Sequence, residues 1–279
     1  MPELPEVETI RRQLEARVAG RTITGASVRD PLLTQPVPPG RLARQLRGRR
    51  IGAIDRRGKY LLLALGSGDT LAVHLRMTGQ LHWSPTAVRR DLDHRRAHFA
   101  LDDGSTLVYC DQRRFGRMWI VPGDLPDIAG YWAARAGLEP LGPDFTAASL
   151  ARLAEGRSRP VKPFLLDQTI VAGIGNIYAD EALFQARVHP LRPAGSLSRD
   201  EVRRLHRAIR DRLSAAIDAG GSSIDAYRDT NGEQGAMQTL LRVHLQAGRP
   251  CPRCRTEIVK TRVAQRGTYL CPSCQEAPC

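Results

Sequence analysis

Near its C-terminal end the sequence reads CPRCRTEIVKTRVAQRGTYLCPSC, two Cys-x-x-Cys pairs sixteen residues apart with strand-like residues between them. No other feature constrains the fold as much. The spacing matches a tetrahedral four-thiolate site, and a metal held by Cys251, Cys254, Cys271 and Cys274 organises the whole segment around itself. Four thiolates complete the coordination of Zn2+, so such a site holds structure and keeps no open position for chemistry. A pair of redox dithiols is the other reading, and the doubled spacing speaks against it. Cys110 and Cys279 are left over, and Cys110, at the end of a strand-like run, reads as core filling.

The chain is 279 residues long, enough for two domains or for one with small modules attached. Its net charge of +13 rests on 42 basic residues, far more of them Arg than Lys. Guanidinium forks suit phosphate, so the charge points to a polyanion, nucleic acid or an anionic membrane surface; a merely solvated basic face is the bland reading. No stretch approaches the roughly 20 apolar residues of a membrane span, and the acidic N-terminus is unlike a secretory signal. Cysteines in metal-type pairs with no signal ahead of them imply a reducing, cytoplasmic setting.

The first 120 or so residues read as β-rich behind an initial helix. Val7, Ile10, Leu14 and Val18 recur at helical spacing until Gly20, with Pro5 at a helix start. RTITGASV, RRIGAIDRRGKYLLLAL, DTLAVHLRMTGQLHW and AHFALDDGSTLVYC follow as strands, with a hairpin turn at Asp103-Gly104. Beyond PLGPDFTAASLARLAEG the texture is helical. Ser198 and Glu201 have the spacing of a capping box, Val202, Leu205, Ile209, Leu213 and Ile217 form one face, and Gly220-Gly221 ends the run. SSIDAYRDTNGEQGAMQT reads as a mobile polar loop.

Three further stretches carry candidate chemistry. AGIGN, with a new helix near Asn176, lets backbone approach closely and aims helix N–H groups at an anion, although any tight helical corner needs glycine. HLRMTG and DQRRFG set Met77 and Phe115 among arginines beside Gly79 and Gly116. They are either core residues or wedges that unstack bases while an arginine hydrogen-bonds a widowed partner. Arg266, where the tip of the cysteine hairpin falls, is placed for a phosphate or is a solvated turn. Finally, MPELPEVETI starts with a proline whose preceding methionine is of the kind normally removed, leaving a secondary amine beside Glu3.

Taken in order, PELPEVET, RRGKYLL, HLRMTGQL, DQRRFG, KPFLLDQTIVAGIGNIYADEALF and CPRC…QRGTYLCPSCQ resemble the formamidopyrimidine-DNA glycosylase branch of the family that also includes endonuclease VIII. The likeness runs from end to end. It implies an α+β chain: an N-terminal β-sandwich with flanking helices over residues 1–130, a helix–two-turns–helix domain with a base-capping loop over 131–235, and a zinc β-hairpin over 236–279. Damaged double-stranded DNA would lie in the cleft between them, bound by a monomer with one structural Zn2+. The resemblance makes the Pro2 nitrogen the nucleophile that attacks C1′ and forms an iminium with the sugar. An α-amine titrates near pH ~8, far below lysine, so the unprotonated form is accessible. Glu3 matches the proton donor, Glu6 the acid that holds the site's hydrogen bonds, Lys59 the lysine that assists β-elimination, and Arg266 the arginine linked to δ-elimination. Met77, Arg113 and Phe115 match the residues that fill the space of the everted base, Arg113 facing cytosine. Asn176 and Arg266 match phosphate contacts, and Arg157 and Lys162 lie at or near basic positions on the DNA.

Some positions depart from the pattern. Arg96, still a basic DNA-contact candidate, stands where a DNA-contacting His is common, Ala236-Met237 where the base-covering loop usually has aromatic or polar residues, and His244-Leu245 where Tyr-Gly is usual. These bear on lesion preference and leave the nucleophile end intact. An endonuclease VIII-like preference for oxidised pyrimidines and a catalytically idle DNA-binding zinc protein are the two rival readings.

Overall fold

The computed structural model describes residues 1–86, 92–224 and 226–278, and Cys279 lies outside them. The chain forms two compact units: Met1–Ile128 with Ala219–Ala236, and Ala129–Asp218 with Met237–Cys279. These units partition the chain differently from the three expected domains, because the segment after the long helix packs with the N-terminal one.

In the first unit α1 (Leu4–Val18) buries Leu4, Val7, Ile10, Leu14 and Val18, the helical stripe expected from the sequence. Then come β1 (Ile23–Val28), the short helices α2 (Pro31–Thr34) and α3 (Pro39–Leu46), and seven strands. These are β2 (Ile51–Arg57), β3 (Tyr60–Leu65), β4 (Thr70–His74), β5 (Gly79–Ser84), β6 (Arg95–Leu101), β7 (Thr106–Asp111) and β8 (Arg117–Val121). They pair into two four-stranded antiparallel sheets, β1-β6-β7-β5 and β2-β3-β4-β8. In β3, Leu61, Leu63 and Leu65 are buried while the residues between them are half-exposed, the alternation of a strand with one face on a core. β7 is buried at every residue. One apolar cluster gathers α1, both sheets and Tyr227 from the returning segment, so the sheets form a sandwich with the helix against it. The β6–β7 turn has Gly104 at φ +81°, the left-handed position the Asp-Gly signal implies.

The second unit contains α4 (Ile128–Ala133), whose first residue belongs to the other unit, α5 (Ala147–Ala154), α6 (Val161–Leu166), α7 (Asn176–Ala186) and α8 (Arg199–Asp218). Thr146 caps α5 by accepting from Ser149 N. The box at α8 is reciprocal: Ser198 N donates to Glu201 Oε2 at 2.8 Å and Glu201 N to Ser198 Oγ at 3.2 Å. The turn between α6 and α7 is stapled by Gln168, whose amide donates to the carbonyls of Leu166 and Ile174 and whose Oε1 accepts from Gly173 N. Two strands, β9 (Val259–Val263) and β10 (Arg266–Leu270), close the unit as a hairpin. Ala264 and Gln265 between them both have positive φ, the geometry of a two-residue turn that follows strand twist. No helix among the described residues is long and apolar enough to cross a membrane.

Candidate active site and nucleic-acid interface

Pro2, Glu3, Glu6 and Lys59 are all buried, which is unusual for three ionisable side chains in one unit. Glu6 explains part of this. Its Oε2 accepts from Glu3 N at 2.7 Å and its Oε1 from Ser222 N at 2.8 Å. One carboxylate therefore caps the first turn of α1 and fastens the returning segment to it. The fit is close: a Cβ on Gly221 would sit 2.9 Å from Glu6 Cγ. The same segment is held by Gln13, which donates to Asp229 and accepts from Thr230, and by Trp83 N, which donates to Thr230 O. What composition marks as a mobile polar loop is thus tied to α1 and β5 at several points. Burial, with the Glu6 charge adding, raises the Tyr227 phenol well above its ordinary value, so it stays protonated and donates to Gly220 O at 3.2 Å.

Lys59 lies in the β2–β3 turn beside Gly58 (φ +55°), and that hairpin packs on α1. His74, which sequence reasoning passes over, shares its neighbourhood. Burial, then Arg76 and Lys59, push the imidazole down to about 3, so it is neutral and its Nδ1 accepts from Arg76 N at 3.0 Å.

Met77 and Phe115 are exposed, 37% and 46%, on the two connections that pass between the sheets, β4 to β5 and β7 to β8. That excludes the core reading for both. The Arg113 guanidinium lies 4.8 Å from the Phe115 ring centroid. Arg96 is turned inward, its Nε donating to Asp111 O at 3.0 Å and lying 3.7 Å from Asp30. Arg114 forks onto Asp30 with two 2.9 Å bonds. The Arg114 bonds hold the Asp30 carboxyl below its ordinary value; burial opposes them, and the Leu32 amide and Arg96 assist. A depressed carboxyl stabilises the fold above its unfolded value, and that contribution disappears as pH falls through the folded one. Asp30→Asn is accordingly expected to cost stability at pH 7, a deficit that begins to shrink below the ordinary carboxyl value of about 4 and vanishes only below the lower folded one. Urea unfolding at pH 7 and pH 3 checks this, and an equal deficit at both would mean that the charge is immaterial.

In the second unit Asn176 is the first residue of α7 and donates from Nδ2 to Gly267 O at 2.9 Å. Arg266 stands at the start of β10, at the hairpin tip expected for it. Arg157 is exposed in the turn after α5, beside Ser158 and Arg159. Lys162 departs from the expectation of a DNA contact. It is fully buried, its ammonium 2.7 Å from Asp180, 2.7 Å from Thr268 Oγ1 and 3.0 Å from Gly267 O. A buried cation must be paired, and these partners turn it into a brace behind the hairpin. His244 is buried too, with Nδ1 2.8 Å from Asp180 and its ring against Tyr269. Met237 is wholly buried, so Ala236 alone of that pair is exposed.

The Sγ atoms of Cys251, Cys254, Cys271 and Cys274 all lie within 4.8 Å of one another. Zn–S bonds of about 2.3 Å in a tetrahedron put the sulfurs about 3.8 Å apart, and the Cys251–Cys274 and Cys254–Cys271 separations are 3.9 and 3.4 Å. The set fits one zinc ion with no open position.

Residues 1–118 match the family described as the formamidopyrimidine-DNA glycosylase N-terminal domain, 136–228 its H2TH domain, and 248–277 the zinc finger found in FPG and IleRS. The formamidopyrimidine-DNA glycosylase of Chloroflexus aurantiacus is 48% identical over 278 residues, 99% of this chain and 98% of its own length. The chain belongs to the formamidopyrimidine-DNA glycosylase family. Among solved structures, the Lactococcus lactis family member in complex with abasic-site DNA aligns at a TM-score of 0.90 and 36% identity, covering 99% of this chain and all of that one. The Thermus thermophilus member aligns at 0.86 and 44%, with the same coverage.

Within this formamidopyrimidine-DNA glycosylase frame, the residues that sequence reasoning missed are anchors: the buried Asp111, Asp180 and Glu181, and the half-buried Gln168. Glu181 accepts from three successive amides, Arg242, Val243 and His244, and so fixes the approach to the finger. Asp180 and Glu181 interrupt an apolar helical stretch, Asp111 ends an apolar strand, and Gln168 sits between Asp167 and Thr169. These are faint signals, because the partners of Asp180 and Glu181 lie far along the chain.

Proposed function

We propose that this chain removes oxidised purines, 8-oxoguanine and formamidopyrimidines, from duplex DNA in the cytoplasm and then cleaves the strand at the resulting abasic site. The arrangement that best supports this reading is the buried Pro2, next to Glu3, whose N, with Ser222 N, donates to the Glu6 carboxylate. Once Met1 is removed, Pro2 offers a secondary amine whose attack on C1′ displaces the base and yields an iminium. The cationic iminium is the electron sink for elimination. Glu3 supplies the proton for opening the sugar ring, and Lys59, buried in the β2–β3 turn, assists β-elimination. Met77, Phe115 and Arg113 are exposed as a group suited to entering the duplex and facing cytosine. Asn176, Arg157 and Arg266 take phosphates. The thiolate zinc site holds the Arg266 hairpin and does no chemistry.

Borohydride trapping on a duplex with 8-oxoguanine opposite cytosine tests the reading, with the N-terminus checked by mass spectrometry. The expected product is a covalent adduct mapped to Pro2. An adduct only with oxidised pyrimidines would move the chain to the endonuclease VIII type of preference, and no adduct from processed protein would make it a DNA binder.

A further inference from the structure

Met77 and the Arg113–Phe115 pair lie on different turns, one leading into β5 and one between β7 and β8. To enter a duplex as one probe they must keep a fixed spacing. Neither turn supplies that rigidity alone, and each contains a non-glycine residue in the left-handed region, Arg76 at φ +54° and Arg114 at φ +59°.

The two turns meet at Thr78 and Asp111. Thr78 Oγ1 accepts from Arg113 N at 3.0 Å and donates to Asp111 Oδ1. The other oxygen of the same carboxylate accepts from Gly116 N at 2.8 Å, with Tyr109 OH 3.5 Å away. Asp111 is 1% exposed, so these bonds act in a low-dielectric setting. Tyr109 OH fills the space under both turn glycines: a Cβ on Gly79 would lie 2.4 Å from it and one on Gly116 1.7 Å. Each wedge residue is thus one or two positions from a group clamped by the same carboxylate or the same phenol.

We infer that Thr78 and Asp111 are positioning residues that lock Met77, Arg113 and Phe115 into a single rigid probe, and that base eversion depends on the lock. This rests on the wedge reading given under the proposed function. The lock matters where a stacked base has to be displaced. It matters far less at a site that has already lost its base.

Thr78→Val keeps the shape of the side chain and removes both hydrogen bonds, while Thr78→Ser keeps the hydroxyl. Single-turnover base excision from an 8-oxoguanine:cytosine duplex is compared with strand cleavage at a preformed abasic site opposite cytosine. Thr78→Val is expected to slow excision about ten- to a hundredfold, to slow abasic-site cleavage much less, and to recover in Thr78→Ser. Met77→Ala and Phe115→Ala are run beside it. If these two lose excision and Thr78→Val does not, the lock is wrong and the wedge reading stands. If all three excise normally, both fall. An equal loss of both activities in Thr78→Val, or no recovery in Thr78→Ser, would mean general damage to the fold and would overturn the inference as well.

Discussion

Replacing Pro2 with glutamine should give a protein that binds damaged duplex and cuts almost none of it. A bulky second residue keeps Met1 in place, so the nitrogen at position 2 becomes an amide, and an amide is no nucleophile. Excision from an 8-oxoguanine:cytosine duplex is expected to fall about 10⁴-fold or more, as for loss of a nucleophile elsewhere, and borohydride should trap nothing. Binding to a duplex carrying an uncleavable abasic analogue should change by about threefold at most, well under 1 kcal/mol. The structure gives the reason for this separation. The bonds that organise the region run from Glu6 to Glu3 N and Ser222 N, and none of them uses the Pro2 ring. Binding that collapsed along with cutting would assign Pro2 to the scaffold and remove it from the chemistry.

Stripping the zinc should have the second large effect. The finger's apolar cluster is small, Phe184, Val243, Cys251, Ile258, Tyr269 and Cys271, and two of its members are ligands. A module of this size seldom folds on its core alone. Chelation, or Cys254→Ser, is expected to strip hydrogen-exchange protection from β9 and β10 and to weaken binding to lesion duplex about a hundredfold. The sandwich should keep its protection. The loss extends past Arg266, because Lys162 and Asn176 both donate to Gly267 O and lose that acceptor with the hairpin. Zinc-free protein with full affinity for the duplex would show that the finger is dispensable.

Local signals were readable and distant ones were not. The stripe on α1, the Ser198–Glu201 box, the Asp103-Gly104 turn and the cysteine spacing each depend on residues within a few positions of one another, or on a fixed gap between pairs. They translate directly into elements. Lys162 shows where such reading stops. Nothing near it in sequence announces that its ammonium will meet Thr268, 106 positions away, so a lysine beside phosphate-binding residues reads as one more of them. Met237 is similar: only the fold reveals that it is inside. The tying down of residues 219–236 was hidden for the opposite reason. Their polar composition is that of a solvated loop, and the partners that consume those polar groups, Glu6, Gln13 and Trp83, belong to the other end of the chain.

The bond between Glu6 and Ser222 spans 216 positions, and it has a consequence during synthesis. At about 5–20 residues per second, the ribosome needs on the order of ten seconds or more to carry the chain from one partner to the other. Throughout that interval the nascent protein displays its first helix and its future nucleophile with no returning segment to close over them. An N-terminal fragment from stalled translation has the reactive end and lacks the segment that completes its surroundings. The catalytic apparatus matures late in the life of each polypeptide, although its decisive residue is made first.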